Sequence, residues 1–123
     1  MLDTTNTNAG YLCGRLFAVI EKMQNDANGI TSVKERYQNS ASATPATVFP
    51  TLLSLSVHHA EKLPAAKAIY YEKLKQEIIN KMDANGFPTH LSLEDQGRFF
   101  VGYYHQKQDL FTSKNTTTTD IND

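Results

Sequence analysis

Every long apolar stretch of this chain repeats its hydrophobic residues at intervals of three and four, and none alternates apolar with polar as a half-buried strand does. That period restricts the fold to helices packing on helices. The segment 91–107, LSLEDQGRFFVGYYHQK, carries it most clearly. Ser92 fits the N-cap and Asp95 stands three residues on as its capping-box partner, while Glu94 and Asp95 put negative charge in the first turn. Projected at about 100° per residue, Leu93, Phe99, Phe100, Tyr103, Tyr104, Leu110 and Phe111 form one broad core face. Glu94, Arg98, Gly102, His105 and Asp109 stack on the other side, with Gln106 and Lys107 beside them. Gly102 has no Cβ, so a phosphate backbone can approach between Arg98 and His105. The competing reading is an ordinary solvated face, with Arg98 paired to Glu94 and Asp95 at helical spacing.

The preceding chain reads as scaffold. Asn8 caps a helix reaching about Asn25, buried through Leu12, Leu16, Val19, Ile20 and Met23. Tyr11, Arg15, Ala18 and Lys22 align opposite, either as a stripe where a base stacks and phosphates meet cations, or as snorkelling cations on a wet face. Gly29 ends this helix, and a short one follows from Thr31, capped by Thr31 or Ser32 and carrying Lys34 and Arg36. Residues 38–47, QNSASATPAT, read as a loop of small and hydroxyl side chains, suited to tight packing or to offering donors to phosphate. Thr44 and Pro45 open a helix reaching about Lys62; Pro50 inside it predicts a kink or restart near Phe49. His59 lies on its apolar side and His58 points away, with no second ligand pair at zinc spacing. From Pro64 to about Ala84 runs an amphipathic helix with a core seam of Tyr71, Leu74, Ile78 and Met82, stopped by Gly86 and Pro88. The expectation is an all-α compact bundle of four long helices plus one short helix over residues 1–112, and a disordered tail over 113–123.

At 123 residues the chain suits one domain, and its formal charge of −1 opposes strong, independent, counterion-driven binding to nucleic acid. Any such contact is local or shared with partners. Cys13, the single cysteine, has no internal disulfide partner and sits among apolar residues, as in a reduced compartment. No apolar run reaches the ~18 residues of a membrane span. A cytoplasmic protein is expected. No nucleophile stands with a base and an acid, and no Gly-rich phosphate loop or cysteine pair for metal is present, so neither catalysis nor a cofactor is expected.

Two runs, SASATPATVFPTLLSLSVHHAEKL at 40–63 and FPTHLSLEDQGRFFVGYYHQK at 87–107, resemble the C-terminal region of the large subunit of the type I-C CRISPR surveillance complex, Cascade. The opening NTNAGYLCGRLFAVIEKMQ at 6–24 is similar to the start of that region, although Ala9-Gly10 stands where a proline is expected. In that family the region is also made as a separate small subunit by internal translation initiation, and a chain beginning at Met1 resembles that product; a fragment of the large subunit is the competing origin. The resemblance implies a non-catalytic helical subunit, packed with backbone and large subunits and further copies of itself along the crRNA-bearing filament. There it would stabilise the R-loop by holding target DNA, above all the displaced single non-target strand. On that reading the helical stripes nominate Arg15, Lys22, Lys34, Arg36, Arg98, His105 and Lys107 for phosphate and Tyr11 for stacking. A purely structural protein–protein adaptor is the alternative.

Overall fold

The computed structural model describes residues 1–29 and 32–122, with 113–122 given only as the backbone of the last helix. Five helices follow in order: α1 (Ala9–Asn28), α2 (Val33–Ala43), α3 (Pro45–Glu61), α4 (Ala65–Asn80) and α5 (Leu93–Asn122). Four are long and α2 is short, as the periodicity predicts, and no strand occurs among the described residues. The expected disordered tail at 113–123 lies outside the residues described in full, as does the Thr31 cap.

Helix α1 is the axis of the bundle. Asn8 caps it by accepting from the Tyr11 amide at 3.1 Å, and Gly29 closes it at φ 78° with its N–H on the Asn25 carbonyl. Between those ends the residues from Gly10 to Met23 are buried on every side, because α5, α3, α4 and α2 all pack against it. The expected division of α1 into a core stripe and an outward stripe is therefore corrected. A central helix has no wet face, so Tyr11, Arg15, Ala18 and Lys22 are interior residues.

Three glycines set the approach of α5 to α1. A Cβ on Gly14 would overlap the carbonyl oxygen of Phe99, one on Gly10 that of Asp95, and one on Gly102 that of Tyr11. Backbone meets backbone there, and no larger residue fits. Gly102 is thus filled by α1 itself rather than left open to a phosphate. Its inward position also rotates α5. Phe99, Tyr103 and Leu110 are buried, with Phe17 edge-on to both Phe99 and Tyr103 at 5.9 Å. Leu93 and Tyr104, by contrast, are 85% and 55% exposed, and Val101 and Phe111 each 47%. The apolar arc of α5 is wider than α1 can cover, so only half of the expected core face is core.

The connections differ from expectation in instructive ways. Helix α2 continues to Ala43 through most of the small-residue segment, with its hydroxyls turned back onto the preceding turn: Ser42 donates to the Asn39 carbonyl at 2.8 Å and Thr44 to that of Ser40 at 3.1 Å. These hydroxyls are spent on the helix, and Ala41 and Ser42 are buried. At the other end of α2 the Gln24 side-chain carbonyl oxygen accepts from the amides of Ser32 and Val33 at 2.7 and 3.1 Å, so α1 supplies the cap. Helix α3 passes Pro50 without interruption, since the fully buried Phe49 and Leu52 hold both sides of the exposed ring. Phe49 stacks on Phe87 at 4.9 Å. Helix α4 stops at Asn80, earlier than expected, before a turn in which Asp83 accepts from the amides of Asn85 and Gly86. Ser92 accepts from the Asp95 amide at 3.1 Å at the head of α5, as its N-cap position predicts, while the Asp95 carboxylate accepts from Asn8 and Arg98 in place of the reciprocal capping-box bond.

Two outcomes follow for stability. Gly102→Ala lowers the free energy of unfolding by about 3 kcal/mol in urea titrations, because the new methyl overlaps the Tyr11 carbonyl. Gly97→Ala, where nothing lies within 4 Å, raises it by about 0.5–1 kcal/mol. His59 supplies a pH dependence. Burial, reinforced by Lys62 and His58, holds its pKa below the ordinary 6.5, and its Nε2 has no partner among the described residues. The unfolded chain therefore binds the proton more readily, and stability falls as pH drops through about 6.5. His59→Leu flattens that part of the profile.

Candidate nucleic-acid interface

The eight nominated side chains do not form one track. Arg15 is 2% exposed; its Nε donates to Gln106 Oε1 at 2.8 Å, its Nη1 has no partner among the described residues, and burial lowers its pKa. Lys22 reaches down α1 to Asp26 Oδ1 at 2.8 Å, with both side chains buried. Tyr11 is buried, its hydroxyl accepting from the Asp3 amide and hydrogen-bonded to His105 Nδ1, each at 2.9 Å. Arg98 is exposed but clamped by Asp95 at 2.7 Å and Glu94 at 2.6 Å, which raises its pKa. Their spacing alone placed these groups on outward stripes. The glycine-set rotation of α5 and the sleeve around α1 turn Tyr11, Arg15 and Lys22 inward.

Of the other four, His105 is held by the Tyr11 hydroxyl, Arg36 is exposed on α2, and Lys34 and Lys107 meet at a corner between α2 and α5. The ammonium groups of Lys34 and Lys107 lie over one ring, that of Tyr103, at 5.8 and 5.4 Å from its centroid. Lys107 also donates to the Tyr103 hydroxyl at 3.2 Å and stands 3.6 Å from Glu21 Oε1. Tyr103 in turn donates to Glu21 at 2.6 Å, and burial first and Glu21 second raise its pKa. Arg36 is exposed and makes no ion pair among the described residues. Beside this corner a crevice of about 160 Å³ opens between α1 and α5, lined by Ala18, Glu21, Lys22, Asn25, Lys107, Leu110 and Phe111.

The family model described as CRISPR-associated protein (Cas_Csd1) matches residues 1–111, which spans all five helices up to the crevice. The chain belongs to the Csd1 family of CRISPR-associated proteins. No curated protein matches it. As a Csd1-family chain it is a component of the Cascade type, and the all-helical bundle above is the form that membership takes here. Among the described residues no group of three metal-ligating side chains occurs, and no helix is long and apolar enough to cross a membrane.

Several polar residues that organise this Csd1-family bundle give little or no sign of it in the sequence. Asp26 gathers Lys22, the Tyr71 hydroxyl at 2.5 Å and Lys67 at 3.3 Å; burial alone raises its pKa, but these three partners together hold it below the usual carboxylate value. Lys75 is buried on α4 and donates to Ser56 at 2.7 Å and Glu72 at 2.8 Å, tying α4 to α3. Its signal was present in the spacing 71, 75, 78, 82, which is as regular a seam as the one through Leu74. Glu21 and Gln106 gave no such signal, because only the α1–α5 crossing puts them opposite Tyr103 and Arg15. Cys13 is fully buried and its thiol is pushed up to about 12 by desolvation, which leaves it inert packing.

Asp26→Asn strands the buried Lys22 ammonium and lowers unfolding stability by about 3–5 kcal/mol, read as a shift in the urea midpoint. Arg98→Ala, which breaks only an exposed cluster, leaves that midpoint nearly unchanged.

Proposed function

We propose that this chain is a non-catalytic helical subunit of a type I-C CRISPR effector complex, equivalent to the C-terminal region of the large subunit. It packs on the crRNA-bearing filament beside the backbone and large subunits and other copies of itself. There it steadies the R-loop by touching the displaced non-target strand. The observation that carries this reading is membership of the Csd1 family across residues 1–111. Guide pairing reads the sequence in such complexes, so the subunit needs backbone contacts and not base-edge readout. The structure leaves a reduced set for them, Lys34 and Lys107 at the α2–α5 corner and the exposed Arg36 of α2, instead of the eight-residue track. A net charge of −1 suits weak contacts that gain strength only when several copies sit on one strand.

One observation favours the second reading, a structural adaptor. Leu93, Val101 and Tyr104 form an exposed apolar stripe on the face of α5 turned away from α1, with Gly97 between them open to close approach. A stripe of that chemistry suits protein. Charge reversal separates the readings. In the assembled complex, Lys34→Glu, Arg36→Glu and Lys107→Glu together weaken binding of a single-stranded non-target strand. They also flatten its salt dependence, by about 0.7 in the log–log slope for each phosphate no longer neutralised. Subunit composition stays intact. Unchanged strand binding in that variant, with disassembly on Leu93→Glu and Tyr104→Glu, establishes the adaptor instead.

A further inference from the structure

We propose that the crevice between α1 and α5 receives one pyrimidine base of a single-stranded nucleic acid, packed against Phe111. This rests on the strand-contact reading and adds to it a site for the base where that reading invoked only phosphates.

The size of the opening selects the ligand. Its volume is about 160 Å³, and a cavity of about 150 Å³ is enough to hold benzene. One six-membered ring fits with room to spare, and the larger fused rings of a purine fit less well. The walls suit an aromatic face. Ala18 contributes only a methyl group at the floor, buried Leu110 forms one apolar side, and the half-exposed ring of Phe111 stands at the mouth. Lys22 Nζ sits 5.4 Å from the Phe111 centroid while remaining bonded to Asp26, so the ring is held in place by a cation whose charge is already met.

The rim suits the edge of a base. Glu21 uses Oε1 to accept from Tyr103, which leaves Oε2 able to accept from an exocyclic amine such as that of cytosine. Asn25 brings an amide with both donor and acceptor to the same rim. Lys107 lies between the crevice and the Lys34 corner, 37% exposed, with donors left for a phosphate on the strand entering it. Aromatic, carboxylate, amide and ammonium groups thus converge on a space the size of one ring. A phenyl side chain from a protein would fill the same volume but would bring no polar edge to the amide and the carboxylate oxygen.

The test follows the amide signals of the full chain by NMR while oligodeoxycytidine, oligodeoxyadenosine or an abasic strand of equal length is added. The expected result is movement of Ala18, Asn25 and Phe111 with oligodeoxycytidine, at an affinity at least about fivefold above the abasic strand, and weaker binding of oligodeoxyadenosine. Phe111→Trp keeps this preference, and Phe111→Ala reduces binding to the abasic level. Movement of Lys34 and Arg36 alone, equal for all three strands, overturns the base site and leaves the strand-contact reading standing. Absence of movement with every strand, together with unaltered strand binding by the triple charge-reversal complex, removes both. If Phe111→Ala leaves strand binding intact but costs the chain its partner subunits, the crevice is a protein contact and the base site is overturned.

Discussion

The backbone-to-backbone crossing of α1 and α5 governs this structure. Gly10, Gly14 and Gly102 remove the side chains that would otherwise hold the two helices apart, and carbonyl oxygens of Asp95, Phe99 and Tyr11 occupy the space a Cβ would need. So close a contact has one register. Around it lie polar pairs that are satisfied only in that register: Arg15 with Gln106, Glu21 with Tyr103, and Tyr11 with His105. Burying such groups costs desolvation, and a neutral amide repays little of what the Arg15 guanidinium gives up. The glycines therefore set the geometry, and the polar pairs penalise any slip from it.

The same crossing decides what the surface can offer. Rolling Gly102 inward carries Tyr103 and Gln106 under α1 and turns Leu93, Val101 and Tyr104 out to solvent. Cations that look available from their spacing are drawn into the seam or onto Asp26. What remains is an apolar stripe along α5 and a small basic corner against α2, the two surfaces on which the proposed contacts with protein and with nucleic acid rest. Electrostatic attraction from so few groups is weak at physiological salt. On the proposed reading, repetition along a filament and not affinity in one copy is the physical route to useful binding.

Much of the helical organisation is legible in the chain by itself. The Asn8 cap, the Gly29 stop, the Ser92 cap and the Pro45 start each act within one turn, so local chemistry identifies them. The candidate interface is only partly legible. Lys34, Arg36 and Lys107 stand out in the sequence, but as members of a longer set in which Arg15 and Lys22 prove internal and Arg98 is already paired. The faces of the helices are what local spacing misplaces. A wheel projection distinguishes apolar from polar arcs, but it assumes that each helix has one exposed side, and α1 has none between Gly10 and Met23.

From sequence alone came the all-helical class, four long elements and a short one, and most of their ends, because these depend on contacts three or four residues apart. Tertiary structure alone decided which side of each helix is inside. That choice rests on residues such as Gly14 and Phe99, or Gln24 and Val33, which no local period relates and which meet only when the helices cross. A glycine reads the same in sequence whether it admits a ligand or a neighbouring helix. Here the space beside Gly102 is filled by the chain's own backbone, which moved the candidate contact surface from the α5 stripe to its edge.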